Sequence, residues 1–551
     1  MKKTMDRRQF LKYGGAGLAG LGLSALNVPF FRMGKASAAI SSNAWQFGVM
    51  SDTQWKSTPG GEMTCATGII DALNEQFIQQ DVKFVIQVGD LCNNESVNEV
   101  RSMPTRAEHS QALYDAGIGF FPLRGNHESS STAANELPVL FPQTLGQGSN
   151  LYGATNFQPA DISGLVGLTY SFDYNNVRCV MLDQFHRKDG TDYNGSSYND
   201  NMVDQVDWVD AMLSSNPEGN HSFVFAHKNL IGQNHKDNLF GGGLTSNPGP
   251  RDQFLTSLYN NRVGYYMGGH DHMHHRSLVY TADGSAKVSQ IITSSNSYKF
   301  YTPRSGDDGR ETPLQHELYT VGYYIVTVDG PRVTVDFYSS SHGQDYGSVS
   351  LSACPSFAFY LRERFGYSLN GQQFEIAQGD SYTDVVDSYS GTTAKILDGT
   401  NGNSETDYVG RDLTKAVNTG WAQSDQVDDA ASQIFTLWGM ADNLSLYNGD
   451  LTGQLPSEDE SQETDTYTLS LTYNPRKIRT SQLMRGNFAI AARNEDDEWV
   501  NAVDLNTGGT KTFKRGPWKS GYAVGTYGVD PSTKTVWAVL NHEGDFVAKL
   551  I

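Results

Sequence analysis

The sequence predicts an α/β (α+β) first half followed by a C-terminal all-β accessory domain. In the first half, apolar runs of strand length alternate with segments whose apolar residues recur at helical spacing. From Gly343 onward, Ser, Thr, Asn and Gly become more frequent, and short stretches of alternating polarity are typical of half-buried strands in a sandwich-like domain. The length of 551 residues is enough for two or more domains.

The elements of the first half can be predicted in chain order. Thr64–Gln80 and Val203–Leu213 carry helical apolar stripes, and a strand is expected near Lys287–Thr293. Two hairpins are predicted, the second around an Asp-Gly turn: Tyr170–Phe172 with Val177–Leu182, and Gly322–Val328 with Val333–Tyr338. Five apolar runs predict buried strands: Trp45–Met50, Phe84–Val88, Ile118–Leu123, Ser222–Phe225 and Val263–Met267.

In the second half, Phe357–Arg364 is expected to form one short helix. Alternating polarity then predicts a series of short strands: Thr466–Tyr473, Phe488–Arg493, Trp499–Asp504, Ala523–Val529, Val536–Asn541 and Phe546–Leu550.

A polar motif follows each of the five buried strands. These motifs supply carboxylate, amide and imidazole groups, and they are Asp52-Thr53-Gln54, Gly89-Asp90, Gly125-Asn126-His127-Glu128, His227 and Gly269-His270-Asp271-His272. Ligands delivered to the C-terminal ends of strands converge in space, so we expect one metal site at one edge of a sheet. Taken singly, Asp52 and Asp90 could instead cap following helices, and His270–His275 could be a His-rich loop or a single-metal site.

This ordered series resembles the calcineurin-like metallophosphoesterase superfamily over roughly Trp45 to Ser340. The resemblance implies a four-layer metallophosphoesterase sandwich, and we assign it to residues 45–342, with the accessory domain at 343–551. Gln54 departs from the family pattern, which usually has His there. A Gln carbonyl oxygen is a harder ligand than imidazole, so it could bind a metal directly, bind it through water or leave a weaker site.

The resemblance also implies a dinuclear metal centre. Asp90 can bridge two divalent ions, and mixed nitrogen and oxygen ligands suit Mn, Fe, Zn or Co. A hydroxide bridging the ions would attack phosphorus, while His127 would protonate the leaving oxygen or stabilise the transition state. The predicted ligands are Asp52, Gln54, Asp90 and His272 for one ion, and Asp90, Asn126, His227 and His270 for the other.

The expected function is therefore hydrolysis of a small-molecule phosphoric ester, with phosphomonoesters as the first expectation. A phosphodiesterase or nucleotidase of the same superfamily is the alternative, as is a non-catalytic cell-surface binding protein whose β domain is the working part. Residues near the motifs that could contact substrate are His186, His235, Arg124, Lys228 and Arg276.

The N-terminus predicts export. Asp6-Arg7-Arg8-Gln9-Phe10-Leu11-Lys12 matches a twin-arginine signal, and Ala36-Ser37-Ala38 is a small-residue cleavage site. The intervening apolar segment is broken by glycines, so no permanent membrane span is expected, and residues 1–38 are assigned as a cleaved signal peptide. We expect the twin-arginine export machinery as a partner and a periplasmic or extracellular location.

The net charge of −20 limits the classes of partner. Removal of residues 1–38, which carry seven basic residues and one acidic residue, lowers it to −26. A strongly acidic body argues against general nucleic-acid binding. The metals would then have to supply most of the positive field for a phosphate.

Overall fold

The computed structural model describes most of the chain after its N-terminal segment. The described residues are 43–55, 63–93, 102–189, 198–243, 245–303, 309–341, 346, 348–369, 373–375, 385–388, 392–398, 418–422, 427–438, 466–483, 485–494, 496 and 498–551. The predicted signal peptide, residues 1–38, lies outside them. None of the described helices is long and apolar enough to cross a membrane.

The helices and strands are numbered here in chain order. The α-helices are α1 (Cys65–Gln79), α2 (Met103–Asp115), α3 (Ser131–Leu140), α4 (Val206–Ser214), α5 (Pro248–Asn260) and α6 (Thr480–Leu483). The strands of the first half are β1 (Trp45–Met50), β2 (Phe84–Gln87), β3 (Gly119–Pro122), β4 (Thr155–Pro159), β5 (Tyr170–Tyr174), β6 (Val177–Leu182), β7 (His221–Ala226), β8 (Tyr265–Gly268), β9 (His274–Tyr280), β10 (Lys287–Ile292), β11 (Glu311–Glu317), β12 (Thr320–Asp329) and β13 (Arg332–Ser341). Those that follow are β14 (Tyr360–Ser368), β15 (Gln373–Glu375), β16 (Val385–Ser388), β17 (Thr392–Asp398), β18 (Asn418–Ala422), β19 (Ile434–Trp438), β20 (Thr466–Thr472), β21 (Phe488–Arg493), β22 (Trp499–Asn501), β23 (Thr512–Arg515), β24 (Thr526–Asp530), β25 (Thr535–Leu540) and β26 (Gly544–Leu550).

Two mixed sheets face each other in the first half. The first has the order β14-β13-β12-β1-β2-β3, and the second has the order β11-β9-β10-β8-β7-β6-β5-β4. β1, β2 and β3 run parallel, as do β6, β7 and β8. Their burial on both faces explains why these strands are near-continuous apolar runs.

The cores between these layers give the predicted four-layer sandwich. One core lies between the two sheets and includes Phe47, Phe84 and Phe223. A second packs the stripe of α1, with Ile69 and Phe77, against the first sheet. A third packs α4 and α5 against the second sheet. The predicted fold class is therefore confirmed.

The C-terminal part is built from two further sheets, with a shared apolar core. Their orders are β15-β18-β19-β26-β21-β22 and β16-β17-β20-β25-β24-β23. The short helix expected over Phe357–Arg364 is wrong, because Tyr360–Ser368 is a strand whose Phe365 and Tyr367 face the core between the first two sheets. This strand lies beyond residue 343 and yet joins the first sheet. The domain boundary at residue 343 stays a prediction.

Buried ion pairs join the two halves. Arg332 contacts Asp545, and Arg493 lies 3.9 Å from Asp329. Arg364 pairs with Asp336 at 2.6 Å on its own sheet and with Glu543 at 3.2 Å across the junction. The junction is therefore a network of opposite charges rather than a purely apolar contact.

Candidate metal centre

The predicted ligands meet at the C-terminal ends of parallel strands that belong to the two facing sheets. Asp52, Asp90 and Asn126 follow β1, β2 and β3 of the first sheet, while His227 and His270 follow β7 and β8 of the second. The prediction of a metal site at one edge of a single sheet is therefore too simple. Two sheets contribute, because the sandwich places the ends of their parallel strands side by side.

One group of donors surrounds one oxygen of Asp90. Gln54 Nε2 donates to Asp90 Oδ2 at 3.0 Å and lies 3.2 Å from His272 Nε2. His272 Nε2 is in turn 3.4 Å from Asp52 Oδ1. All four side chains are buried. The structure thus brings together every residue that the sequence predicts for the first ion.

The orientation of His272 leaves its Nε2 directed at these oxygens. Its Nδ1 lies 2.9 Å from the carbonyl oxygen of Lys299, which can only accept, so Nδ1 carries the proton. The lone pair is then on Nε2. Gln54 Oε1 is buried and has no hydrogen-bond partner among the described residues, so it is an oxygen donor that a cation would satisfy.

A second group of donors surrounds the other oxygen of Asp90. His227 Nε2 lies 3.3 Å from Asp90 Oδ1 and 3.0 Å from Asn126 Oδ1. His227 Nδ1 donates to the carbonyl of Val88 at 3.0 Å, which again leaves Nε2 as the ligand nitrogen. Ligand atoms of Asp52, Asp90 and His227 lie within 4.8 Å of one another.

His270 reaches this group through contacts that the sequence does not indicate. The Nε2 atom of His270 lies 3.3 Å from Asp237 Oδ1, so Nδ1 is the ring nitrogen that does not face Asp237. The His270 ring stacks on His235 at 4.0 Å and meets the edge of His227 at 5.2 Å. Asp237 also pairs with Lys228. The only sequence signal for Asp237 is its place in a polar run shortly after His227.

His127 occupies a different position from the ligands. Its Nδ1 lies 2.6 Å from Asn93 Oδ1, so this nitrogen carries the proton. Its Nε2 is 3.9 Å from Asp90 Oδ2, and the side chain is partly exposed. These contacts fit a group beside the centre that can exchange a proton at Nε2; the assignment as leaving-group acid stays a prediction.

Glu128 holds two of the ligand loops in place. Its Oε1 accepts from the backbone N–H of Cys92 and its Oε2 from that of Gly125, both at 2.9 Å. Burial, reinforced by the Asp90 carboxylate, raises the pKa of Glu128 to about 7. At Gly125 the backbone approaches Asp90 so closely that a methyl group would lie 2.7 Å from Asp90 Cγ.

The local backbone and electrostatics are those of a functional site. Asp52, Asp90, His270 and His272 have φ values of 52°, 48°, 72° and 53°, a region that non-glycine residues rarely adopt. Burial raises the pKa of the Asp52 carboxyl group to about 7. The nearby His227 opposes this rise, and the Asp90 carboxylate adds to it. Burial disfavours the charged form of His227, but Asp90 and Asp52 raise its pKa to about 9. Two buried carboxylates this close require positive charge beside them.

The residues present fit two divalent cations. Asp90 presents one oxygen to each donor group, and Nε2 of His227 and Nε2 of His272 lie close to the carboxylates of Asp90 and Asp52. Gln54 faces Asp90 with its amide nitrogen, so direct ligation through its unsatisfied Oε1 would require the amide to turn. Nitrogen and oxygen donors together suit transition-metal ions.

Comparison with known proteins places this site in context. Residues 46–274 match the family model of calcineurin-like phosphoesterases, in agreement with the resemblance that the sequence motifs indicate. No curated protein matches the chain in a sequence comparison.

Several solved structures are similar over part of the chain. Purple acid phosphatase PPD1 from yellow lupin (Lupinus luteus) seeds has a TM-score of 0.37 at 14% identity and covers 58% of this chain, which spans 57% of the lupin protein. PhoD has a TM-score of 0.37 at 14% identity, covering 60% of this chain and 70% of its own. A dimetal phosphatase from Danio rerio has a TM-score of 0.34 at 14% identity, covering 53% and 95%.

Proposed function

We propose that this protein is an exported phosphomonoesterase that works through a dinuclear metal centre. The observation that carries the proposal is the position of Asp90. Its Oδ2 faces Gln54 and the His272 side, whereas its Oδ1 faces His227 and the Asn126 side. A carboxylate whose two oxygens face two separate donor groups is suited to bridge two ions.

The chain's own groups would share the work of ester hydrolysis. Two divalent cations, when bound, supply Lewis-acid polarisation of the phosphoryl group and a water of lowered pKa. Asp90 and Asp52 hold the positive charge in place, and the Val88 and Lys299 carbonyls fix which imidazole nitrogens face it. His127 donates a proton from Nε2 to the departing ester oxygen, while Asn93 retains the proton on Nδ1.

The variant Asp90→Asn tests this assignment. An amide cannot supply two anionic oxygens, so the variant should lose at least one metal and fall in activity by orders of magnitude. Metal per chain is measured by elemental analysis, and hydrolysis with a chromogenic monoester and a chromogenic diester. Asp161→Asn, an exposed position, is the matched control. Two metals and near-normal turnover in Asp90→Asn would refute the bridging role, and faster diester hydrolysis by the unaltered protein would favour the phosphodiesterase alternative.

The role of His127 is tested by varying the leaving group. His127→Ala should keep both metals and lower turnover about 10²–10⁴-fold for alkyl phosphates, which leave poorly without a proton. The loss should be smaller for nitrophenyl phosphate, whose leaving group needs little protonation. Equal losses for both esters would show that His127 stabilises transition-state charge instead.

Export is supported by the sequence alone. The paired guanidinium groups of Arg7 and Arg8 are what the twin-arginine pathway recognises. Replacing both by Lys should leave active precursor in the cytoplasm, and the N-terminus of the exported protein should lie near Ala39. Normal export of the double variant, or an intact N-terminus outside the cell, would refute the proposal.

A further inference from the structure

The cations that the sequence offers as phosphate contacts are already neutralised. Arg124 forms a two-point contact with Asp183 at 2.7 and 2.8 Å in the buried core. Lys228 pairs with Asp237, which also holds His270. Arg276 is buried, with its Nε 3.4 Å from Glu363. A cation that compensates a buried carboxylate cannot leave it for a substrate without stranding that charge.

Lys299 is placed differently. It lies in the segment that follows β10, and its carbonyl oxygen accepts from His272 Nδ1, so its backbone is fixed directly behind a predicted metal ligand. Ser295 Oγ donates to the same carbonyl at 2.9 Å. The residue is half-buried, and among the described residues no carboxylate forms an ion pair with its ammonium group. An anchored backbone and an ammonium group with no carboxylate partner among the described residues suit a substrate contact.

The Lys299 side chain lies beside the ring of Tyr301. Lys299 Nζ lies 5.3 Å from the centroid of the Tyr301 ring. That ring is 4.9 Å from the ring of His272 and 5.0 Å from the ring of His235. The ammonium group and the predicted ligand His272 therefore contact the same aromatic ring.

We propose that Lys299 binds the substrate phosphate and favours dianionic monoesters over monoanionic diesters. The inference rests on the proposed function. A phosphomonoester carries close to two negative charges near neutral pH, whereas a diester carries one. Coulomb attraction to one fixed cation scales with the charge of the ligand, so the same ammonium group gains about twice as much from a monoester.

The test uses the full chain loaded with metal. Lys299→Met should raise the KM for nitrophenyl phosphate and the inhibition constant of inorganic phosphate by about 10-fold, the loss expected for one charged hydrogen bond. The kcat should change little, because the contact exists before and during the reaction. The KM for bis(nitrophenyl) phosphate should rise less. Lys299→Arg should restore most of the phosphate affinity, and Lys287→Met, at an exposed position on β10, is the control.

The outcomes separate the two proposals. An active unaltered protein whose phosphate inhibition is the same in Lys299→Met would refute the role of Lys299 alone. Equal effects on the monoester and diester would refute the charge preference, and loss of metal in Lys299→Met would show a structural role through His272. Absence of metal-dependent hydrolysis in the unaltered protein would refute the proposed function itself.

Discussion

Gly125→Ala isolates the close approach that positions the bridging carboxylate. Gly125 has φ −107° and ψ −171°, a conformation that alanine adopts without strain. The added methyl group would lie 2.7 Å from Asp90 Cγ and closer still to Asp90 Oδ1 and its backbone nitrogen, whereas ordinary contacts begin at 3.4 Å. Because the backbone of Asp90 is also met, rotation of its side chain cannot relieve the contact, and the loop must move by roughly 1 Å.

The movement should affect function more than stability. Overpacking of this kind costs about 1–3 kcal/mol, whereas a displacement of about 1 Å at a reacting centre can lower the rate about 10²-fold. We expect Gly125→Ala to fold, to bind metal more weakly and to lose activity by about 10²-fold or more.

Three measurements check the Gly125→Ala prediction: urea unfolding, metal content and kcat/KM for a monoester. Gly242→Ala is the control, since a methyl group there meets no atom within 4 Å. A Gly125→Ala protein with two metals and activity within a few-fold of the unaltered chain would refute the described contact with Asp90.

Three further predictions concern neighbouring parts of the structure. Gln54→His should raise affinity for Zn or Co at one of the two sites, because imidazole is the softer ligand; unchanged metal content and activation constants would exclude Gln54 as a ligand. Asp237→Asn should weaken metal binding on the His270 side about 10–100-fold in chelator competition, with Asp161→Asn as control, and unchanged affinity would refute the orienting role of Asp237. Burial lowers the pKa of His221 from 6.5 to about 4, so the unfolded chain binds a proton between these values that the folded chain does not. The contribution of His221 to the free energy of unfolding is fully present above about pH 6.5 and falls by about 3 kcal/mol as the pH drops to about 4. In denaturant unfolding, the free energy of unfolding of His221→Gln should therefore depend less on acid pH than that of the unaltered chain.

The sequence predicts best those elements whose burial pattern is unambiguous. Trp45–Met50 is predicted at its observed bounds, because β1 is buried on both faces and its apolar run has no competing period. Phe357–Arg364 is wrongly predicted as a helix. The segment overlaps β14, whose strand conformation depends on pairing with β13, and the local sequence does not show that pairing. Arg362 and Glu363 are both buried there by ion pairs and hydrogen bonds that no sequence pattern signals.

The sequence predicts the ligands of the candidate site but not the residues that position them. Asp52, Asp90 and His227 each follow a recognisable strand, so the order of strands and motifs along the chain is enough to expect their convergence. Asp237 and Lys299 follow no motif, and their roles depend on how two loops pack against His270 and His272. Such contacts are set by tertiary structure, over separations of 33 and 27 residues.

The charge network between the two halves limits how freely this architecture can be recombined. Arg332 and Arg364 on the first sheet find carboxylates in Asp545 and Glu543 of the last strand and the turn before it. A different β domain fused at this point would remove one carboxylate partner from each guanidinium group, leaving Arg332 with Asp329 and Arg364 with Asp336, unless it brought two acids in the same places. The accessory domain is therefore not an interchangeable module, and any lineage that exchanged it would have to change both sides of the junction together.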